Sequence, residues 1–156
     1  MKRILLSGAG PHGFIGRNLA PALRERYAVF TPSSREINLC DYDALARYVD
    51  EHQISTVIHG AVQNVIRAGR ENAMLHDMQM FFNIEKLSGQ LDKVLYFGSG
   101  AEFDKRFPME QIREEALGRS VPIDYYGLEK YAMALHARAS RNIYNLRLFG
   151  VFGRYE

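Results

Sequence analysis

The stretch LLSGAGPHGFIGRNL, residues 5–19, decides how this chain is read. A short apolar run ends at Ser7, and Gly8, Gly10, Gly13 and Gly16 follow in quick succession. A continuous apolar run stopped by glycine is the pattern of a strand buried on both faces. Phe14, Leu19 and Leu23 then recur near helical spacing, so a helix is expected over 13–27, with Pro21 kinking it or moving its start to Asn18. A helix that begins directly after a buried strand points its free N–H groups at the strand's carboxyl edge. Glycines there let a pyrophosphate approach the backbone. Gly10, Gly13 and Gly16 keep a G-x-x-G-x-x-G spacing in that strand–turn–helix context. The plainer alternative is a tight turn that uses glycine for its positive φ.

Outward from this stretch, strand and helix patterns alternate to the end of the chain. Apolar runs predict strands at 3–8, 28–31, 55–60, 93–98 and 144–148. Helical periodicity predicts helices at 41–52, 69–89 and 124–140, and INLCD (37–41) reads as a short strand or a turn. This alternation specifies an α/β fold, a doubly wound parallel sheet of Rossmann type with both faces covered, formed as one dinucleotide-binding domain over 1–156. Residues 100–121 form the one long segment without periodicity. A loop that long in a compact domain is usually functional.

Bulk composition narrows the function. The chain has 156 residues, 47% of them hydrophobic, which excludes a disordered or fibrous protein. The net charge of +2 comes from interspersed acids and bases, so no nucleic-acid footprint is expected. No apolar run is long enough to span a bilayer, so no membrane association is expected. The single cysteine, Cys40, permits no internal disulfide, and the reading is cytoplasmic. The five histidines show no metal-ligand spacing, and no metal is expected.

Two further clusters carry chemistry. Tyr126 and Lys130 lie four apart on a predicted helix, hence on one face, where an ammonium favours phenolate over phenol. After the second strand the chain reads Ser33-Ser34-Arg35, with no acid at the strand end to grip a ribose hydroxyl. An arginine there suits a 2′-phosphate, so NADP is favoured over NAD, with Arg17 as a second candidate contact. The alternative for Arg35 is a solvated loop charge.

With the SG…GFIG segment of residues 7–16, the YFGSGAEF segment of 96–103 and the Tyr126…Lys130 pair, the chain resembles the extended short-chain dehydrogenase/reductase family of NAD(P)-dependent nucleotide-sugar epimerases, dehydratases and reductases. The resemblance runs along essentially the whole chain. It implies a cofactor cradle from Gly8, Gly10, Gly13, Phe14, Ile15, Gly16 and Arg17, an adenine contact from Asp41, and Ala61 at the end of the VIHGA strand. Asp41 could equally be a helix N-cap. It also implies catalysis by Ser99, Tyr126 and Lys130: Tyr126 exchanges a proton with the sugar oxygen, Ser99 hydrogen-bonds that oxygen, and Lys130 holds the nicotinamide ribose. The family usually places two residues between the strand-ending glycine and GFIG, and this chain has four.

Family dehydratases follow the catalytic hydroxyl with Asp-Glu, whereas Gly100 and Ala101 follow Ser99 and Glu102 comes one place late. Fucose-type epimerase-reductases carry a cysteine where Ala101 stands. Dehydration and proton-swap epimerisation are therefore disfavoured, leaving 4-epimerisation or simple keto reduction of a nucleotide-linked sugar. The stretch LRLFGVFG resembles the family's sixth strand, after which relatives continue into a substrate-binding part. The chain is thus expected to lack that part, to expose apolar surface and to self-associate as a homo-oligomer or take a partner. The rival expectation is a non-catalytic dinucleotide-binding module or an inactive remnant.

Overall fold

The computed structural model describes residues 1–63 and 65–155. Its centre is a five-stranded parallel sheet, β1 (Arg3–Ser7), β2 (Ala28–Phe30), β3 (Thr56–His59), β4 (Lys93–Ser99) and β5 (Ile143–Leu148), in the order β2-β1-β3-β4-β5. The helices are α1 (Phe14–Arg24), α2 (Tyr42–Glu51), α3 (Val65–Ala68), α4 (Arg70–Leu87) and α5 (Tyr125–Ala139). Every expected strand is present within a residue or two. Among the described residues no helix is long and apolar enough to cross a membrane.

Alternation along the strands sorts the core into two layers. Leu5, Val57, Val94 and Tyr96 face one way and pack with Leu45 and Val49 of α2, Phe81, Ile84 and Leu87 of α4, and Met133 and Ala137 of α5. Ile4, Leu6 and Ile58 face the other way onto Leu19, Ala20 and Leu23 of α1. The second face is only partly covered, because α1 is its one helix among the described residues. Register pairs Leu95 with Tyr144 and Phe97 with Leu146 on that open side, and Tyr144 and Leu146 remain 46% and 41% exposed.

Three local expectations are settled. Of the two helix starts the early one is found, and α1 runs from Phe14 through Pro21 to Arg24. Residues 37–41 take the turn alternative, so the stretch matched to a sixth strand is the fifth here. Residues 100–121 are not featureless: Gly100–Glu102 and Glu114–Ala116 are single 3₁₀ turns, and Phe103 and Leu117 anchor the loop on Tyr131 and Ala134 of α5.

The order reverses between β1 and β3: the chain leaves β1 toward β2 and returns on the other side at β3. A crevice opens at the carboxyl ends of the strands at such a switch point, which is where ligands bind in open α/β sheets.

Candidate active site

The glycines after β1 are there because backbone meets backbone. Gly8 has φ +77°, and a Cβ on it would stand 2.3 Å from the Gly60 carbonyl oxygen beyond β3. A Cβ on Gly13 would lie 1.8 Å from the Gly8 carbonyl oxygen, and one on Gly16 would lie 2.5 Å from the same atom. Gly10 differs: a Cβ there meets nothing within 4 Å. The required spacing is therefore Gly8…Gly13…Gly16, and Gly10 sits at the exposed tip, its carbonyl accepting the Gly13 amide at 2.9 Å. The two extra residues are taken up as this turn.

Gly13 is the N-cap of α1 and has no side chain to cap it, and the first turn carries no acid. The leading amides of α1 thus face the crevice with the helix dipole's positive end. Ser7 ties the two sides of the switch point together: its Oγ accepts the amides of Gly60 and Ala61 at 3.2 and 3.3 Å and lies 2.9 Å from His59 Nδ1. With two amides on its lone pairs, Ser7 donates its proton to Nδ1. Burial, aided by the positive charge of Lys130, pushes the His59 pKa down to about 3, so the ring is neutral.

Ser99 ends β4 and caps the 3₁₀ turn that follows. Its Oγ accepts the Ala101 amide at 3.1 Å, while Glu102 accepts the Ser99 amide at 3.0 Å, a reciprocal capping box. Glu102 is fully buried, and its other contacts are Asn145 at 2.9 Å and Arg147 Nε at 2.5 Å, both on β5. Gly98 leaves room for this network, since a Cβ there would meet Asn145 Oδ1 at 2.0 Å and Glu102 Oε1 at 2.1 Å.

Asp124 caps α5 by accepting the Gly127 amide at 2.9 Å. Gly127 lets α5 pack close to the turn after Ser99, because a Cβ on it would lie 2.9 Å from the Ala101 carbonyl oxygen. Tyr126 and Lys130 follow on one face, with Lys130 Nζ 5.7 Å from the Tyr126 ring centre. Lys130 is buried and Tyr126 is half exposed.

These elements meet in one cleft of about 360 Å³. Gly8, Gly13, Phe14 and Ile15 line one side, His59 and Ala61 its floor, and Ser99, Tyr126 and Lys130 the other side. Gly16 is buried beneath the cradle and Gly10 stands outside it. Arg17 donates to the Pro11 carbonyl at 3.1 Å and stacks on Tyr155. Asp41 caps α2 through the Ala44 amide at 3.0 Å, the helix-cap alternative for that residue. Arg35 is exposed in the turn after β2, outside the cleft lining. Its neighbour Glu36 folds back to accept the Ser33 amide and hydroxyl, both at 2.7 Å, bonds that hold its pKa below the usual carboxylate range. The residue composition fits a dinucleotide: an uncapped helix start, backbone held bare by glycine, and no acid in the first turn of α1.

Several residues of this site are not in the expected set: Ser7, His59, Glu102, Gly127, Asn145, Arg147, and a buried acidic pair, Asp77 and Glu129. Glu102 has a signal in the sequence, since Ser99-Gly100-Ala101-Glu102 is the S-x-x-E pattern of a capping box.

Known proteins share this fold. The chain is 32% identical over 110 residues to a GDP-L-colitose synthase of Yersinia pseudotuberculosis, covering 66% of this chain and 35% of that protein. Its fold matches a GDP-D-glycero-L-gluco-heptose synthase of Campylobacter jejuni, crystallised in the presence of NADPH, with TM-score 0.84 and 20% identity, over 97% of this chain and 48% of that one. It also matches a GDP-L-fucose synthetase of Naegleria fowleri bound to NADP, with TM-score 0.80 and 18% identity, over 99% of this chain and 52% of that one. The chain spans about a third of the first relative's length and about half of the other two. A family model matches residues 4–156, and the chain belongs to the NAD dependent epimerase/dehydratase family.

Proposed function

We propose that these residues form the cofactor side of an NADP-dependent enzyme that reduces, or epimerises through a keto form, a sugar carried on a nucleoside diphosphate. The observation that carries this reading is the single cleft holding both the bare start of α1 and the Ser99, Tyr126 and Lys130 side chains. Similarity to GDP-sugar synthases, among them structures determined with NADP or NADPH, supports it.

A bound NADPH supplies the hydride. The chain's own residues manage the proton and the geometry. Ser99 Oγ has a lone pair committed to the Ala101 amide, which leaves its hydroxyl proton free to point at a carbonyl oxygen. Tyr126 Oη holds the proton that this oxygen takes up, and the nearby Lys130 ammonium stabilises the negative charge left on the phenol. The α1 N-terminus binds the pyrophosphate, and Arg35, with no acid competing for it at the strand end, takes the 2′-phosphate.

Glu102 cannot act on substrate while buried against Arg147, which argues against dehydration. Ala101 offers no proton for a swap beside a ketone. A 4-keto reductase or 4-epimerase is the subclass that remains. The chain spans about half the length of its structural relatives, and among the described residues nothing encloses a sugar beside the half-exposed Tyr126. Binding and turnover are therefore separable: the 156 residues bind the dinucleotide and do not by themselves turn over a sugar nucleotide, because positioning worth about 7–11 kcal/mol is missing. The test is calorimetric titration with NADPH together with an absorbance assay on a panel of 4-keto sugar nucleotides. Binding without turnover is expected, and absence of NADPH binding would remove the reading.

A further inference from the structure

Next to Lys130 on α5 lies a second charge that the proposed reaction leaves unused. Glu129 is 3% exposed, and its Oε1 stands 3.5 Å from Lys130 Nζ. That is an ion pair, too long for a well-formed hydrogen bond, and Oε1 has no hydrogen-bond partner. Consecutive helix residues do not normally face one another, so Lys130 is turned aside toward this carboxylate. Across the interface, α4 contributes Asp77, also buried, whose Oδ1 accepts the Gln63 amide at 2.6 Å. The group is completed by His59 of β3, neutral, and by Tyr126 of α5, whose ring centre lies 5.7 Å from Lys130 Nζ. The Lys130 charge acts on Asp77 as well as on Glu129, so two buried carboxyl groups face one ammonium. If both ionise, the cluster carries a net negative charge directly behind the cleft.

We propose that Glu129 is a positioning residue for Lys130, which already lines the cleft: ionised, it draws the ammonium back toward the α4–α5 interface, and protonated, it lets Lys130 reach further into the cleft toward Tyr126. The inference rests on the cofactor reading above. Burial, reinforced by the Asp77 charge and opposed by Lys130, pushes the Glu129 pKa up to about 7. The exchange therefore takes place near neutral pH, with one proton bound to or lost from Glu129. NADPH is an anion, so its binding should be stronger on the acid side, where the cluster has lost a negative charge and Lys130 is free.

The test uses the 156-residue chain as it stands. Carboxyl-¹³C glutamate labelling, with Glu129 assigned by its absence in Glu129→Gln, should show one resonance titrating near pH 7. Asp77→Asn should move that midpoint down by at least half a unit. NADPH Kd should rise three- to tenfold from pH 6 to pH 8 in the wild-type chain, and change less than half as much in Glu129→Gln, which mimics the protonated state. A Glu129 midpoint below 5.5, or a wild-type pH profile retained in Glu129→Gln, would overturn the proposal. If no protein binds NADPH at any pH, the cofactor reading fails, while the resonance midpoint and its response to Asp77→Asn still decide whether Glu129 exchanges its proton as proposed.

Discussion

Ser99 and Glu102 cap each other. The serine hydroxyl and the glutamate carboxylate close the same turn from opposite ends, and Glu102 passes the constraint to β5 through Arg147. The orientation of the proposed substrate-facing hydroxyl is thereby tied to the sheet. Glu102→Ala leaves Arg147, 12% exposed at its side chain, without its buried partner and frees the Ser99 amide. Loss of one member of a buried pair costs about 3–5 kcal/mol, so urea denaturation should show a drop of that size. Glu114→Ala removes the other partner of Arg147, but Glu114 is 80% exposed, and the loss should stay below about 1 kcal/mol.

The cradle glycines should separate by position. Gly13→Ala drives a Cβ into the Gly8 carbonyl and should cost about 3 kcal/mol, with loss of NADPH binding. Gly10→Ala faces open space and should stay within about 0.5 kcal/mol of wild type. Thermal denaturation and a binding titration on both variants check this. A reversed ranking would mean that the tip glycine Gly10, not the helix-capping Gly13, sets the turn.

How much of this could be read beforehand follows from range. The strands and the cleft edge residues were legible because buried strands, a strand–glycine–helix junction and an i, i+4 pair are local patterns. Gly10 fits the regular spacing yet touches no backbone, because sequence distance cannot say which glycine meets backbone across the turn. Pro21 suggested a later helix start, but tolerance of proline inside α1 depends on the packing of Leu19, Ala20 and Leu23 on the sheet. Glu129 and Asp77 lie 52 positions apart, and Glu102 and Arg147 lie 45 apart. Only the packing of α4 on α5 and of the Ser99 turn on β5 makes neighbours of them.

Stability should show two opposed proton linkages. The Glu129 pKa is raised in the folded state to about 7 from 4.5. Its folded form binds the extra proton, so it lowers stability as pH rises from 4.5 to 7. The His59 pKa is depressed to about 3 from 6.5. There the unfolded chain binds the proton, so stability is lost as pH falls from 6.5 toward 3. Between 4.5 and 6.5 the two slopes, about 1.4 kcal/mol per pH unit each, cancel. Glu129→Gln removes one slope, so the variant should gain about 2–3 kcal/mol on wild type between pH 5 and pH 8. Urea denaturation at those two values measures it, and parallel behaviour of the two proteins would refute a raised Glu129 pKa.

Tyr126→Phe tests the division of labour in the cleft. In the proposed reaction the lost hydroxyl acts on substrate, so NADPH affinity should stay within about twofold of wild type, a change under about 0.5 kcal/mol. Lys130→Met should weaken binding at least about tenfold, since a cation facing the cleft is removed. Equal effects from the two would mean that Tyr126 contacts the dinucleotide rather than the substrate.

The central claim is that the cleft between the α1 start and the Ser99, Tyr126 and Lys130 side chains holds NADP. Its most direct test is calorimetric titration of the chain with NADPH and with NADH, repeated on Arg35→Asp and Gly13→Val. The account predicts one site per chain, NADPH at least about tenfold tighter than NADH (1.4 kcal/mol), reversal of that preference in Arg35→Asp, and no binding in Gly13→Val. Tighter NADH binding in the unmodified chain, or unchanged NADPH binding in Gly13→Val, would contradict it.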